Sequence, residues 1–528
     1  VSQSLRGFAM KIASAAQMRE MDRQTIEEYH VPGLVLMENA ALRVVEALQE
    51  CFAPLRGKRI AIVCGKGNNG GDGLAVARHL ATRIGARVTV FLTSEPSEFH
   101  GDAATNFQMA TAFGLDIRPA TALDLTSTDL IVDALLGTGL KGPATGTIAD
   151  FINVLNSSGL PIVSVDVPSG VNSDTGQADG PCVHAKITVT FALPKYGLID
   201  FPGAEYAGVV VVADIGMPRP VMQADAIHVW QTEAADVARE LPWRDNGRDS
   251  NKGKFGHVMA LAGSDGFVGA PIMVAEAAAR GGAGLVTLAI PEGIHQAAMC
   301  RVSPVIMTRG LTQSPEGTFG KDALESALQM VEKANAVALG PGMGQGAEAA
   351  EFTRRFVAQC PAPMVIDADA LNLLSQEPDR GASIIKSRTG QTILTPHPGE
   401  MGRLLGIGTE DVQRDRRAAV TQAAEIYGCV VLLKGARTLI ADPDGRLNVN
   451  TTSNPGMATG GAGDVLTGLL AALLAQHLEP LMAAACGAYV HGLAGDLAAS
   501  ETGRTGLIAT DLIAHLPRAI AQCQKGIA

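Results

Sequence analysis

Short runs of aliphatic and β-branched residues alternate along this chain with segments that place apolar residues every third or fourth position. The runs read as buried strands and the periodic segments as amphipathic helices. Lys58 to Cys64 (KRIAIVC) is the first such strand, Leu74 to Ile84 a helix, and Arg87 to Leu92 the next strand. Strand, loop, helix, strand is the repeating unit of a doubly wound parallel sheet. Further strands are expected at Leu130 to Leu135, Pro161 to Val167, Ile187 to Ala192 and Val209 to Asp214. Upstream, Ala15 to Leu48 reads as helix broken near Pro32-Gly33, with Met18, Met21, Leu36, Met37 and Ala40 supplying a core face.

The alternation then stops and resumes. Residues 216–223 carry two prolines among other breakers, Asp225 to Trp243 reads as a short strand and a helix, and 244–256 is a polar, glycine-bearing loop. Basic residues in that loop are either solvated or near a phosphate. A second series follows, with strands at His257 to Ala262, Leu285 to Ile290, Ala336 to Leu339, Met364 to Asp367, Thr392 to Thr395 and Val430 to Lys434. An alanine-rich helix from Pro271 to Gly281 reads as close packing on the sheet. The expected organisation is α/β throughout: a Rossmann-like doubly wound domain over 1–225 and a second α/β domain over 226–528.

Composition narrows the function. The chain has 528 residues, more than one core supports. Aromatics are 4% against 47% apolar, so the cores must be built from Ala, Val, Leu and Ile. A net charge of −11 argues against a broad nucleic-acid surface. Eight scattered cysteines without a CxxC pair argue against structural zinc and a disulfide framework, and fit a reducing cytoplasm. No apolar run is expected to reach the roughly 18 residues of a membrane span. Val1 to Ala9 lacks the apolar core of a signal peptide.

The candidate chemistry sits on loops after strands. Asn454 to Asp464 (NPGMATGGAGD) feeds an apolar helix, so unpaired amides and the helix dipole invite an anion there. Asp464 on the first turn then serves as base or metal ligand, or is an ordinary N-terminal charge. GKGNNGGDG at 65–73 follows the first strand and combines glycine amides with Asn68, Asn69 and Asp72. Asp133 lies within an apolar strand and Asp166 near the end of another; each is a paired core aspartate or, with Asn69 and Ser169, part of an all-oxygen site for an alkali or alkaline-earth ion. TPHPGE at 395–400 reads as a helix start with Pro398 in its first position and Glu400 in its first turn.

GGAGD preceded by NPGMATG resembles the anion-hole motif of ribokinase-like kinases and of ADP- or ATP-dependent NAD(P)H-hydrate dehydratases. KGNNGGDG, VDALLGTGLKGP and SVDVPSGVNSDTG together resemble the NAD(P)HX epimerase domain over about residues 10–220. GSDGFVGA, LGPGMG, TPHPGEM, LKGART and NPGMATGGAGD occur in the order of the dehydratase family, over about 235–525. The first resemblance implies that Asn68, Asn69, Gly70, Gly71 and Asp72, with Gly137, Thr138, Gly139, Leu140, Lys141, Gly142 and Pro143, hold a hydrated dinucleotide. It implies a potassium ion on Asn69, Asp133 and Ser169, and Asp166 near the reacting ring. Lys195 is an acid, a phosphate contact or a plain surface lysine. The second implies that Ala270, Gly344, His397 and Asp464 contact the hydrated nicotinamide. Lys434, Gly435, Ala436, Arg437, Thr438 and Gly463 would contact ADP or ATP, with magnesium near Asp367 and Asp369. The expectation is a homo-oligomer acting on hydrated NADH or NADPH, with neither nucleic-acid nor membrane partner. A ribokinase-like small-molecule kinase with an accessory domain and a non-catalytic scaffold are the competing readings.

Overall fold

The computed structural model describes residues 10–243 and 250–526. It divides into two compact units, one spanning Lys11–Ile227 and the other made of Met10 together with the chain from His228 onward. The 244–249 part of the polar loop expected at the join lies outside the described residues. Its remainder holds a short 3-10 turn, Lys252–Phe255.

In the first unit, strands β1 (Arg59–Cys64), β2 (Arg87–Leu92), β3 (Asp116–Pro119), β4 (Leu130–Ala134), β5 (Ile162–Val165), β6 (Ile187–Phe191) and β7 (Val209–Ala213) form one parallel sheet. The order is β3-β2-β1-β4-β5-β6-β7. Every residue of β4, β5 and β6 is buried, as a sheet covered on both faces requires. The chain leaves β1 in one direction and returns to β4 on its other side. The loops after β1 and β4 therefore flank a topological switch point, where ligands bind in such sheets. Helix α1 (Ala15–Glu27), helix α2 (Gly33–Phe52) and helix α3 (Asn68–His79) pack on this sheet's core.

Helix α3 begins earlier than the sequence suggests, taking in the NNGGDG segment expected as loop. Asparagine and glycine are weak helix formers, but packing overrides them. A Cβ at position 70 would sit 1.8 Å from the Gly65 carbonyl oxygen. Glycine there lets the helix turn close on the end of β1.

In the second unit the strands are β8 (Val229–Gln231), β9 (His257–Leu261), β10 (Leu285–Pro291), β11 (Met307–Leu311), β12 (Ala336–Leu339), β13 (Met364–Ile366), β14 (Thr392–Leu394), β15 (Val430–Leu433), β16 (Thr438–Ala441) and β17 (Leu447–Asn450). Their order is β8-β17-β16-β15-β14-β13-β12-β9-β10-β11. The run from β11 to β15 is parallel, while β16 is antiparallel to both its neighbours. The switch point here falls between β9 and β12.

Helix α4 (Gly269–Arg280) follows β9, and helix α5 (Ala368–Ser375) and helix α6 (Pro398–Leu405) follow β13 and β14. Helix α7 (Ala462–Ala475) is buried from Val465 onward and packs on α4. A Cβ at Gly468 would lie 2.1 Å from the Val274 carbonyl oxygen, so the alanines of α4 serve a close helix–helix contact beyond the expected packing on strands. Helix α8 (Pro480–Thr502) is long and apolar enough to pass for a membrane span by length and composition. The expectation drawn from apolar runs missed it. Its Ala485, Cys486, Val490 and Ala494 sit in the core of this unit, which accounts for its apolarity.

Candidate active sites

The first site is a cavity of about 760 Å³ at the carboxyl edge of the first sheet. Asn68, Asn69, Asp72, Gly137, Thr138, Gly139, Leu140, Lys141, Asp166 and Lys195 all line it. Gly70, Gly71, Gly142 and Pro143 do not. Gly71 is turned toward helix Gly101–Ala112, where a Cβ would meet Ala103 at 2.9 Å. Its contribution is packing.

Asp166 follows β5 with a left-handed backbone, φ +65°. A non-glycine residue in that region is held there by its surroundings. Its Oδ1 accepts from Lys195 Nζ at 2.6 Å and from Thr190 Oγ1 at 3.1 Å. Lys195 is 1% exposed, which removes the surface-lysine reading. Its ammonium also donates to Thr190 Oγ1 at 3.0 Å and to the Phe191 carbonyl at 3.1 Å. Three protein acceptors thus match its three protons. Lys195 fixes Asp166 as an ion pair, and its proton is not available to substrate in this arrangement.

Asp133 lies behind the lining, fully buried. It accepts from Ser164 Oγ at 2.8 Å, from the Ser169 amide at 2.9 Å and hydroxyl at 2.6 Å, and from the Leu135 amide at 3.2 Å. Burial raises its carboxyl above the usual range despite these bonds. Ser169 Oγ also meets Leu136, and Asn69 Nδ2 donates to the Leu136 carbonyl at 2.9 Å. Asn69 Oδ1 is buried without a hydrogen-bond partner.

The sequence reading passed over Asp22, which enters the same cavity from α1. Burial pushes its carboxyl up to about 6. Asp72 is also raised, by burial first and then by the neighbouring Asp166 and Asp22.

The second site lies beyond the carboxyl ends of β13, β14 and β15. Gly461, with φ +92°, turns the chain into α7, and no side chain caps that helix start. His491 Nε2 bonds the Ala462 carbonyl at 3.0 Å. Burial holds the His491 ring neutral by lowering it to about 4. This bond pins the first turn from α8, a long-range contact that no local motif announces.

Asp464 stands on that first turn. Burial, then the charge of Asp367, push its carboxyl up to about 7, with Lys434 opposing. Asp367 is 1% exposed and caps the sheet edge rather than facing solvent. Its Oδ1 accepts from Lys434 Nζ at 2.7 Å and its Oδ2 from Thr467 Oγ1 at 2.7 Å. Lys434 Nζ lies 3.8 Å from Glu400 as well. A Cβ at Gly463 would lie 3.4 Å from that ammonium and 3.8 Å from Asp367 Oδ2, so glycine there leaves the pair uncrowded.

His397 caps α6. Its Nδ1 accepts from the amides of Gly399 at 3.0 Å and Glu400 at 3.3 Å. Burial and then Lys434 lower its pKa, and with Nδ1 accepting the ring proton sits on Nε2, 3.4 Å from Glu400 Oε1. Pro398 and Glu400 take the helix-start positions expected for them. The Gly344 amide donates to Asp369 Oδ2 at 2.9 Å. Gly344 therefore has no free amide for a ligand, and its left-handed backbone (φ +76°) packs against Thr318, whose Cγ2 a Cβ would meet at 2.9 Å. A Cβ at Gly342 would lie 3.2 Å from Ala270 Cβ, so Ala270 neighbours that loop.

The turn after β15 is locked by a residue the sequence did not flag. Arg416 Nη2 donates to the carbonyls of Lys434 at 3.3 Å and Arg437 at 3.2 Å, and a Cβ at Gly435 would strike its guanidinium at 2.6 Å. Arg437 Nη1 donates to the Thr451 carbonyl at 2.7 Å, Ser453 Oγ to the Ala436 carbonyl at 3.0 Å, and Thr438 Oγ1 to the Gly435 carbonyl at 3.2 Å. The whole Lys434–Thr438 segment is held by its own surroundings.

A doubly wound unit with carboxylates in its crevice, joined to a unit whose glycine-rich helix start faces a carboxylate, defines a two-site α/β enzyme of Rossmann-like plus ribokinase-like build. The family model for NAD(P)H-hydrate dehydratase matches residues 258–518, and that for the YjeF-related protein N-terminus matches 33–197. The bifunctional NAD(P)H-hydrate repair enzyme of Moorella thermoacetica is 42% identical, covering 98% of each chain. That of Coxiella burnetii is 39% identical over 95% of this chain and 97% of its own. The solved ADP/ATP-dependent NAD(P)H-hydrate dehydratase of Bacillus subtilis is 30% identical, with TM-score 0.47, covering 55% of this chain and 97% of its own. The chain belongs to the bifunctional NAD(P)H-hydrate repair enzymes.

Proposed function

We propose that the first unit interconverts the two epimers of hydrated NADH or NADPH, and that the second dehydrates the S epimer at the expense of ADP. The observation that carries this is Asp464, a half-buried carboxyl raised to about 7 on the first turn of an uncapped, glycine-entered helix. Hydroxide leaves poorly; phosphate leaves well. Asp464 takes the substrate hydroxyl proton as that oxygen attacks the terminal phosphoryl of ADP. The amides at 460–463 hold the transferring group. AMP departs, the ring nitrogen then expels phosphate to leave an iminium, and loss of a proton from the neighbouring ring carbon, which the released phosphate can take, restores the dihydronicotinamide. His397 and the Gly342–Gly344 loop border the ring, while the Lys434–Thr438 turn and Gly463 face the nucleotide.

Magnesium is expected to arrive on the nucleotide phosphates, as that ion commonly does. The Asp367 and Asp369 oxygens each accept from a protein donor, supplied by Lys434, Thr467, Gly344 and Gln345, so they form no open cage. For potassium the first unit offers Asn69 Oδ1 as a free buried oxygen, while both Asp133 oxygens accept from Ser164, Ser169 and Leu135 and would have to exchange a donor for the ion. A buried carboxylate with only neutral donors and an orphaned amide oxygen meet around Leu136. Asn69, Asp133 and Ser169 would hold the ion, which supplies a counter-charge and shapes the 137–143 loop. Potassium is therefore expected to raise the melting temperature of the full chain over choline at equal ionic strength. At a hundredfold excess over Kd the gain is about 2.7 kcal/mol. Asp133→Asn should erase the difference; a wild-type chain indifferent to the cation contradicts the site.

The function is tested by incubating the chain with purified R hydrate and ADP. Mass spectrometry should find reduced coenzyme, AMP and phosphate in equal amounts. A phosphorylated small molecule with intact hydrate would favour a plain kinase instead.

A further inference from the structure

The first cavity holds more carboxyl groups than an epimerase with one fixed base requires. Asp166 is committed to Lys195 through one oxygen. Asp72, 8% exposed, and Asp22 both line the cavity, and no described residue donates a hydrogen bond to either. Asp22 reaches it from α1 on the stripe Met18, Asp22 and Ile26, one helical turn apart. An unpartnered carboxyl on an otherwise apolar stripe has no packing purpose. The other titratable groups around the cavity are Arg19 on the same helix, Lys66 and Asp72, Asp102, Lys141, and the Asp166–Lys195 pair.

We infer that Asp22 is the proton donor that works opposite Asp166 in epimerisation, so that the reaction proceeds by opening the hydrated ring. This rests on the epimerase reading above. The hydroxyl-bearing carbon is bonded to the ring nitrogen. Asp166 takes the hydroxyl proton, the O–H pair becomes the second C–O bond, and the C–N pair passes to nitrogen. Asp22 delivers its proton to that nitrogen, leaving an open-chain aldehyde. Rotation about the adjacent C–C bond presents the other aldehyde face. Reclosure returns one proton to Asp22 and the other to the new hydroxyl, so nothing is consumed. Burial sets Asp22 to about 6, close to working pH, which suits a group that must give and regain a proton each turnover. Burial, with Asp166 and Asp22 beside it, raises Asp72 as well. Lys195 has its three protons matched to protein acceptors.

The test uses the full chain, separated R hydrate and no adenine nucleotide, with epimers resolved by chromatography. Asp22→Asn should lower kcat by roughly a hundredfold or more with KM changed by less than about threefold, and should abolish the decline of rate above about pH 6. Asp22→Glu should recover part of kcat. Retention of kcat in Asp22→Asn, or a loss confined to KM, overturns the assignment. ADP-dependent dehydration of S hydrate reports that the chain is folded. Carboxyl-carbon NMR of aspartate-labelled protein should show one group titrating near 6 that vanishes in Asp22→Asn; if Asp22 titrates in the ordinary carboxylate range, the inference fails whatever the rates. A wild-type chain that does not epimerise would refute the epimerase reading itself, a result distinct from either.

Discussion

Asp464→Asn is expected to abolish dehydration of the S hydrate while leaving epimerisation at its wild-type rate. The asparagine keeps the shape of the first turn of α7 but cannot take a proton. Loss of a positioned base costs roughly 10²–10⁴ in rate. Nucleotide binding should persist, because the helix start and the Lys434–Thr438 turn are unchanged. The wild-type pH profile carries the same signature. The Asp464 carboxyl is raised to about 7 by burial and by Asp367, and the base must be ionised to act. Dehydration should therefore rise with pH through about 7 and level off above it. Asp464→Asn should flatten that limb at the residual rate. Formation of reduced nicotinamide, followed by absorbance from pH 5 to 9, checks both statements.

Asp166→Ala should do the reverse, removing epimerisation and sparing ADP-dependent dehydration of S hydrate. It should also destabilise the first unit. The substitution strands the ammonium of Lys195, which is 1% exposed and has Asp166 as its ion-pair partner. Removing one member of a buried pair costs about 3–5 kcal/mol. Adding Lys195→Met should return much of that stability without returning epimerase activity. Thermal melts and separated-epimer assays of the single and double variants distinguish a chemical loss from a folding loss. An active double variant would show that Asp166 is structural.

The strands were legible because parallel sheets bury both faces and so write continuous apolar runs. The loops carrying the chemistry were legible because glycine and carboxylate together at a strand end have few structural uses. Three features escaped for physical reasons. The start of α3 was read too late, since the local propensity of Asn-Asn-Gly-Gly opposes helix and it is long-range packing, of Gly70 on Gly65 and Gly71 on Ala103, that favours it. Asp22 was hidden because α1 reads as a core helix, and whether one carboxyl on it meets a cavity depends on a sheet edge distant in the chain. Arg416 and His491 act through backbone carbonyls of the Lys434–Arg437 turn and of Ala462, contacts that no spacing rule encodes. The left-handed backbones at Asp166, Ala192 and Ala368 follow β5, β6 and β13, at the edges that hold the two sites. No residue preference at these positions would have revealed them.

The most direct measurement is a crystal structure of the chain soaked with hydrated coenzyme and a non-transferable ADP analogue. The account predicts coenzyme in the Asp166 cavity and again beside Asp464, with the analogue's terminal phosphorus against the amides of 460–463. Adenine nucleotide bound away from Gly463, or a coenzyme that occupies neither place, would contradict it.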